Sequence, residues 1–247
     1  MYNNKSIIEI ALASDSNYLV PTTVLLKSLF ENNKTSQLCV NLLYLKEAVT
    51  EKDLFFWEQY TTSHGHLFRK LPVPHEDVET FKEERHTKTT YLRFWLPKLL
   101  PDNVTKVLCI DADLIILRDL SDLYQMDISN YYVAVAKETI SIYAKFNKEM
   151  SFRLDKLGIY SGGFYFQSGV MLMNLKKMRE DDIISKCIVF ANKINQDPLM
   201  SNPDQDTLNA VLNPAIKYIP PKYNMNYNVE PDVIRALWSP EEVYEAK

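Results

Sequence analysis

Two carboxylates, Asp111 and Asp113, stand one residue apart directly after the apolar run Val107 to Ile110. If the backbone stays extended past that run, side chains at i and i+2 point to the same side, so both acids could converge on one cation. Unpaired, they would repel each other at the edge of a low-dielectric core. A hard divalent ion with oxygen ligands removes that penalty. An ion held there can also offset the charge that builds on a departing diphosphate. The same residues also suit a second account, two turn-forming acids in a surface loop.

Three further clusters carry usable chemistry. Asp15, Asn17 and Tyr18 follow an apolar run; their amide and carboxylate groups can read the donors and acceptors of a base, and the phenol ring can stack on it. Taken alone, these residues fit an Asx turn leading to the next helix better. Arg93 sits among Tyr91, Phe94 and Trp95, where a guanidinium could hold phosphate or sugar oxygens, or could snorkel outward from an amphipathic helix. Asp204 and Gln205 open a helix and could reach a sugar. Acids in a first helical turn also complement the helix dipole, and Asp206 is assigned to that structural role. The histidines His64, His66, His75 and His86 show no metal-ligand spacing and read as solvated.

These groups need a scaffold, and the apolar periodicity supplies one. Strands are predicted at Ile7 to Ala13, Leu38 to Leu45, Leu67 to Leu71, Val107 to Ile110, Tyr132 to Ala136 and Ile216 to Ile219. Phe164 to Asn174 is apolar, with a break expected at Ser168-Gly169. Helices are predicted after Pro21, after the Thr50/Asp53 capping pair, from Thr89 through Leu100, from Lys177 to Ile194 and from Asp204 to Leu212. Pro72 to Lys88 reads as a loop, and Ile140 to Ile159 as a short helix and a loop. Strand and helix alternate through the first half, which predicts an α/β fold with a mostly parallel sheet flanked by helices. In such sheets ligands bind at the carboxyl ends of the strands, where Asp15 and Asp111 fall. Four of the five glycines lie between 158 and 169, where the backbone is expected to need unusual torsions or a close approach.

Composition narrows the functional classes. The 247 residues are 46% hydrophobic and 24% charged, in the ordinary globular range. The net charge is −4 with no basic stripe, which argues against nucleic acid as a partner. Cys39, Cys109 and Cys187 are odd in number and each lies in an apolar run, as buried free thiols would. No signal peptide and no apolar stretch long enough for a membrane span are visible. The chain reads as cytoplasmic, with a peripheral place at the inner membrane face left open.

The blocks ALASDSNY (11–18), TTYLRFWLPKLLP (89–101), KVLCIDADLIILRDLSDLY (106–124), YFQSGVMLMNLKKMR (165–179) and NPDQDTLNAVL (202–212) make the sequence recognisable. In order and spacing it resembles the family-8 glycosyltransferases, the group of bacterial lipopolysaccharide galactosyltransferases and glycogenin. The resemblance implies a GT-A fold (Rossmann-like, a mixed sheet in a single domain over 1–247) and a retaining hexosyltransferase. It further implies a UDP-glucose or UDP-galactose donor, Mn²⁺ (or Mg²⁺), and a glycan, lipid-linked or protein acceptor. Carried over residue by residue, Ala13, Asp15, Asn17 and Tyr18 look like uridine contacts. Arg93 resembles the donor-binding arginine. Asp111 and Asp113 resemble the metal ligands, with Ala112 near the ribose. Gln167, Ser168 and Gly169 sit where the family lines the sugar pocket, and Asp204 and Gln205 look like the residues beside the anomeric carbon.

Two departures from the family pattern stand out. The later His-x-x-Gly-x-x-Lys-Pro-Trp motif, which supplies a third metal ligand and a lysine for the diphosphate, does not occur before Lys247. The expectation is that this segment is missing from the given chain. Around Ser161 and Gly162 some relatives carry an acid near the sugar. Two competing functions remain at this level. One is a phosphatase of the haloacid-dehalogenase type, which also places a DxD after a buried strand. The other is a nonenzymatic nucleotide-sugar binder.

Overall fold

The computed structural model describes residues 7–81, 87–159, 163–195, 197–224 and 230–246. Ser161, Gly162 and His86 lie outside the described residues. Among the described residues seven strands follow in chain order: β1 (Ile7–Ala13), β2 (Gln37–Leu45), β3 (Leu67–Val73), β4 (Lys106–Ile110), β5 (Val133–Lys137), β6 (Phe166–Asn174) and β7 (Ile216–Tyr218). They form one sheet in the order β3-β2-β1-β4-β6-β5-β7. Strands β3, β2, β1 and β4 run parallel, β6 is antiparallel to both β4 and β5, and β7 is parallel to β5. The sheet is therefore mixed and mostly parallel.

The central strands are near-continuous apolar runs because both faces are covered. Residues alternate between two cores. Ala11, Leu43, Cys109, Val135 and Met171 pack on one face with Tyr91, Phe94, Trp95 and the helix Ile183–Ile194. Ile10, Leu42, Leu108, Ala134 and Leu172 pack on the other with the helices Leu19–Asn32 and Glu51–Ser63. Thr50 caps the second of these helices, its hydroxyl accepting from Asp53 N at 3.2 Å.

Several elements differ from the sequence expectation for identifiable reasons. β3 continues through Pro72 because it is an edge strand, where a missing N–H need not interrupt pairing. The helix predicted from Thr89 is a 3₁₀ stretch, Lys88–Trp95, followed by the short α-helix Leu96–Leu99. Pro97 has no N–H to offer the Arg93 carbonyl, which accepts from Leu96 instead in an i→i+3 bond. The predicted break at Ser168-Gly169 is absent: β6 runs through both residues. The helix expected from Lys177 is interrupted by Asp182, whose φ of 47° is left-handed, giving Leu175–Glu180 and Ile183–Ile194. The stretch from Ile140 holds two helices, Ile140–Tyr143 and Lys148–Lys156.

The antiparallel β6 decides where chemistry can gather. Ile110, the last residue of β4, pairs with Val170, and Asp111 N donates to Gly169 O at 2.9 Å. The beginning of β6 thus meets the end of β4 at one sheet edge, beside the end of β1.

Candidate functional site

A cleft of about 580 Å³ opens at that edge. It is lined by Ala13 at the end of β1, by Asp15 and Tyr18 after it, by Arg93, by Asp111, Ala112 and Asp113 after β4, by Gln167 and Ser168 of β6, and by Asp204 and Gln205. Gly169 is not at the cleft wall but underlies it. Asn17 is exposed and faces a neighbouring groove bounded by Glu47 and Thr50. Ser14, in the polar cluster after β1, also lines the cleft, as do Thr87, Thr89, Thr90, Glu138 and Asn202, ordinary polar or acidic residues with no local signal of their own.

The loop after β1 is built as an Asx turn. Asp15, 5% exposed, accepts from Asn17 N at 2.9 Å. Ser16 ties this turn to the next layer, donating to Asp53 at 2.6 Å and accepting from Thr50 N at 3.0 Å. The turn therefore sits on a fixed support, with the Tyr18 ring half-exposed above it.

Asp111 and Asp113 share the cleft, but not through strand alternation. β4 ends at Ile110 and residues 112–113 form a turn, so it is the turn that brings both acids to the same cavity. Tyr18 senses the result: burial first, then the charges of Asp113, Asp15 and Asp111, push its phenol above the usual range.

Arg93 is the electrostatic counterpart of these acids. Its Nη2 donates to Asp111 Oδ1 at 2.7 Å, its Nη1 to the Ser168 carbonyl at 2.9 Å, and its Nε to the Thr90 carbonyl at 3.1 Å. Asp204 Oδ2 lies 3.8 Å from Nε. The guanidinium does not snorkel: its side chain is only 8% exposed. Burial alone would lower its pKa, but Asp111 and Asp204 more than offset this and hold it charged.

Gly169 explains one of the clustered glycines by close approach. A Cβ there would lie 3.2 Å from Asp111 Oδ2, 3.5 Å from Asn224 Nδ2 and 3.7 Å from Gln167 Oε1. Among the described residues Gln167 Oε1 and Asn224 Nδ2 are buried without a hydrogen-bond partner. Unpartnered polar atoms beside a carboxylate mark a place suited to a polar ligand or ion.

Among the described residues no three His, Cys, Asp or Glu side chains gather as cation ligands. The cleft offers the two carboxylates of Asp111 and Asp113, one oxygen of Asp111 being engaged by Arg93. Such a set fits a hard dication that takes one or two protein carboxylates and completes its shell with phosphate oxygens and water. The three cysteines are buried free thiols. No helix of the described residues is long and apolar enough to cross a membrane.

A family model described as Glycosyl transferase family 8 matches residues 9–241. A putative glycosyltransferase of Haemophilus influenzae is 28% identical over 213 residues, covering 85% of this chain and 61% of that protein. General stress protein A of Bacillus subtilis is 30% identical over 169 residues, covering 68% of this chain and 56% of its own length. A lipopolysaccharide 1,2-glucosyltransferase of Escherichia coli is 24% identical across 94% of this chain and 66% of that protein. The chain thus spans about three fifths of the length of the curated relatives it matches. Among solved structures, the galactosyltransferase LgtC in complex with donor and acceptor sugar analogs superposes with a TM-score of 0.77 at 24% identity, covering 87% of this chain and 74% of that one. The fold is therefore that of GT-A glycosyltransferases.

Proposed function

Because the chain belongs to glycosyl transferase family 8, we propose that it transfers a hexose, glucose or galactose, from a UDP-sugar to a glycan, lipid-linked or protein acceptor with retention of anomeric configuration. The observation that carries this reading is the single cleft in which Asp15 and Tyr18, Arg93, Asp111 and Asp113, and Gln205 all meet. Family membership removes the main support for the phosphatase alternative.

Asp15 and Tyr18, with Ala13, bind the uridine, the exposed ring of Tyr18 providing a stacking face. Asn17 acts through the turn it makes with Asp15 rather than by lining the cleft. Ala112 leaves room for the ribose. Asp111 and Asp113 would hold Mn²⁺ or Mg²⁺, which when bound supplies positive charge against the leaving diphosphate. Arg93 fixes Asp111 and places its positive charge 3.8 Å from the Asp204 carboxylate. Gln167 and Ser168 line the sugar pocket over Gly169.

Gln205, which resembles the residue beside the anomeric carbon, is poorly suited to attack the sugar covalently, and Asp204 is paired with Arg93. Gln205 is an amide, whose oxygen bears no full charge, and both of its acceptor directions point to Ser168. The reaction then runs as a same-face substitution. The acceptor oxygen bonds to the anomeric carbon as the bond from that carbon to the UDP oxygen breaks, and the acceptor proton passes to the departing phosphate.

The test is UDP release by the purified protein from UDP-glucose and UDP-galactose, with Mn²⁺ and with EDTA. Release from one of them that depends on Mn²⁺ and is lost in Asp113→Asn supports the proposal. Tight UDP binding without release from either sugar would leave a nucleotide-sugar binder as the better description.

A further inference from the structure

Gln205 lines the cleft, and the bonds around it fix which way its amide faces. Ser168 N can only donate, and it lies 2.8 Å from the Gln205 side-chain oxygen. The group at that position must therefore be Oε1, so the oxygen/nitrogen assignment of the amide is settled by chemistry. The Ser168 hydroxyl donates to the same oxygen at 3.0 Å. Both lone pairs are then occupied, and what Gln205 has left to offer a ligand is an amide hydrogen.

The nitrogen end is held by a chain of directional bonds running away from the cleft. Gln205 Nε2 donates to the Tyr165 hydroxyl at 3.2 Å, and that hydroxyl donates to Asp206 Oδ1 at 2.7 Å. Arg153 Nη2 donates to the same Asp206 oxygen, also at 2.7 Å. Asp206 is fully buried and Tyr165 is 1% exposed, so water does not compete with these bonds. Burial and the Asp206 charge hold the Tyr165 phenol well above its ordinary pKa, so its hydroxyl keeps its hydrogen at neutral pH.

We propose that Tyr165, backed by Asp206 and Arg153, is a positioning residue that orients Gln205 so that it presents an amide hydrogen, not its oxygen, to the sugar in the cleft. The inference deepens the proposed transferase reading and rests on it for the identity of the ligand. The orientation of the amide stands on the hydrogen bonds alone. The chain also gives Asp206 a task that a helix-dipole role does not include: it anchors the phenol that anchors the amide.

A double-mutant cycle tests this. UDP release from the UDP-hexose the protein accepts is measured for wild type, Tyr165→Phe, Gln205→Ala and the double variant, alongside their melting temperatures. Tyr165→Phe is expected to lower kcat by about tenfold with the donor KM within about twofold of wild type. In the Gln205→Ala background the same change should alter kcat by less than about twofold, because Tyr165 acts through Gln205. An equal loss in both backgrounds would overturn the proposal. Should Tyr165→Phe fail to fold, Arg153→Lys, which keeps the charge but loses the fork, carries the same cycle with the same expectation. A second readout needs no turnover. In a proton–nitrogen NMR spectrum the Gln205 side-chain amide pair, identified by its loss in Gln205→Ala, should shift clearly in Tyr165→Phe. An unmoved pair refutes the positioning role even if the protein proves not to be a transferase, and a wild type that releases no UDP while the pair does shift refutes only the transferase reading.

Discussion

Replacing Arg93 with methionine should damage the fold and the site together. The change removes the donors that meet Asp111 at 2.7 Å, Ser168 O at 2.9 Å and Thr90 O at 3.1 Å, and the charge 3.8 Å from Asp204. Deleting one partner of a buried ion pair costs about 3–5 kcal/mol, since the other charge is stranded. Asp204, 9% exposed at its side chain, loses the charge 3.8 Å away, whereas Asp111, at 35%, is partly screened by solvent. The expected loss is therefore near the lower end, about 3 kcal/mol, or roughly 6–12 °C in melting temperature for a chain of this size. UDP release should fall by about a hundredfold or more, because Asp111 loses its fixed position. Arg93→Lys keeps a charge but not the fork; it should recover part of the stability and little of the activity. Differential scanning calorimetry and the UDP-release assay read the two effects. An Arg93→Met protein melting within about 2 °C of wild type would refute the electrostatic reasoning.

Other perturbations have defined outcomes. Gly169→Ala places a Cβ 3.2 Å from Asp111 Oδ2, which Arg93 holds from the other side; a stability loss of about 1 kcal/mol and a drop in UDP release of about tenfold are expected from thermal melts and kinetics. Burial pushes the thiols of Cys39 and Cys187 up to about 12 and that of Cys109 up to about 11, so a thiol reagent at neutral pH should leave the native protein unlabelled and titrate all three cysteines in denaturant. Hydrogen bonds from Ser16 and Thr50 hold the Asp53 carboxyl below its usual pKa. Its contribution is therefore present above the unfolded-state pKa and is lost as pH falls through the folded one. Ser16→Ala should flatten the melting temperature against pH between roughly pH 5 and pH 2 without changing its shape at neutral pH; an unchanged acid limb would contradict this.

The parts of the fold legible in the sequence are those where one local rule decides. β1, β2 and β4 are apolar runs covered on both faces, and Thr50 with Asp53 announces a helix start. The misreadings come where a local rule meets a tertiary one. Ser168-Gly169 looks like a break, yet the strand continues because Gly169 is needed to admit the Asp111 carboxylate, not to bend the chain. Thr89 to Leu100 has helical spacing, yet Pro97 leaves the Arg93 carbonyl to an i→i+3 partner. At the site, Asp111 and Asp113 line one cleft by way of a turn, where strand alternation was expected. The Arg153, Asp206 and Tyr165 chain was not legible at all, because its members are 41 and 53 residues apart and each has an ordinary local explanation.

The most direct measurement is a calorimetric titration of UDP into the wild-type protein and into Asp113→Asn, each with Mn²⁺ and with EDTA. A carboxylate-held cation gripping the diphosphate predicts that wild-type affinity weakens by about tenfold or more when the metal is chelated, and that Asp113→Asn binds weakly in both conditions. Equal UDP affinity in all four titrations would contradict the account.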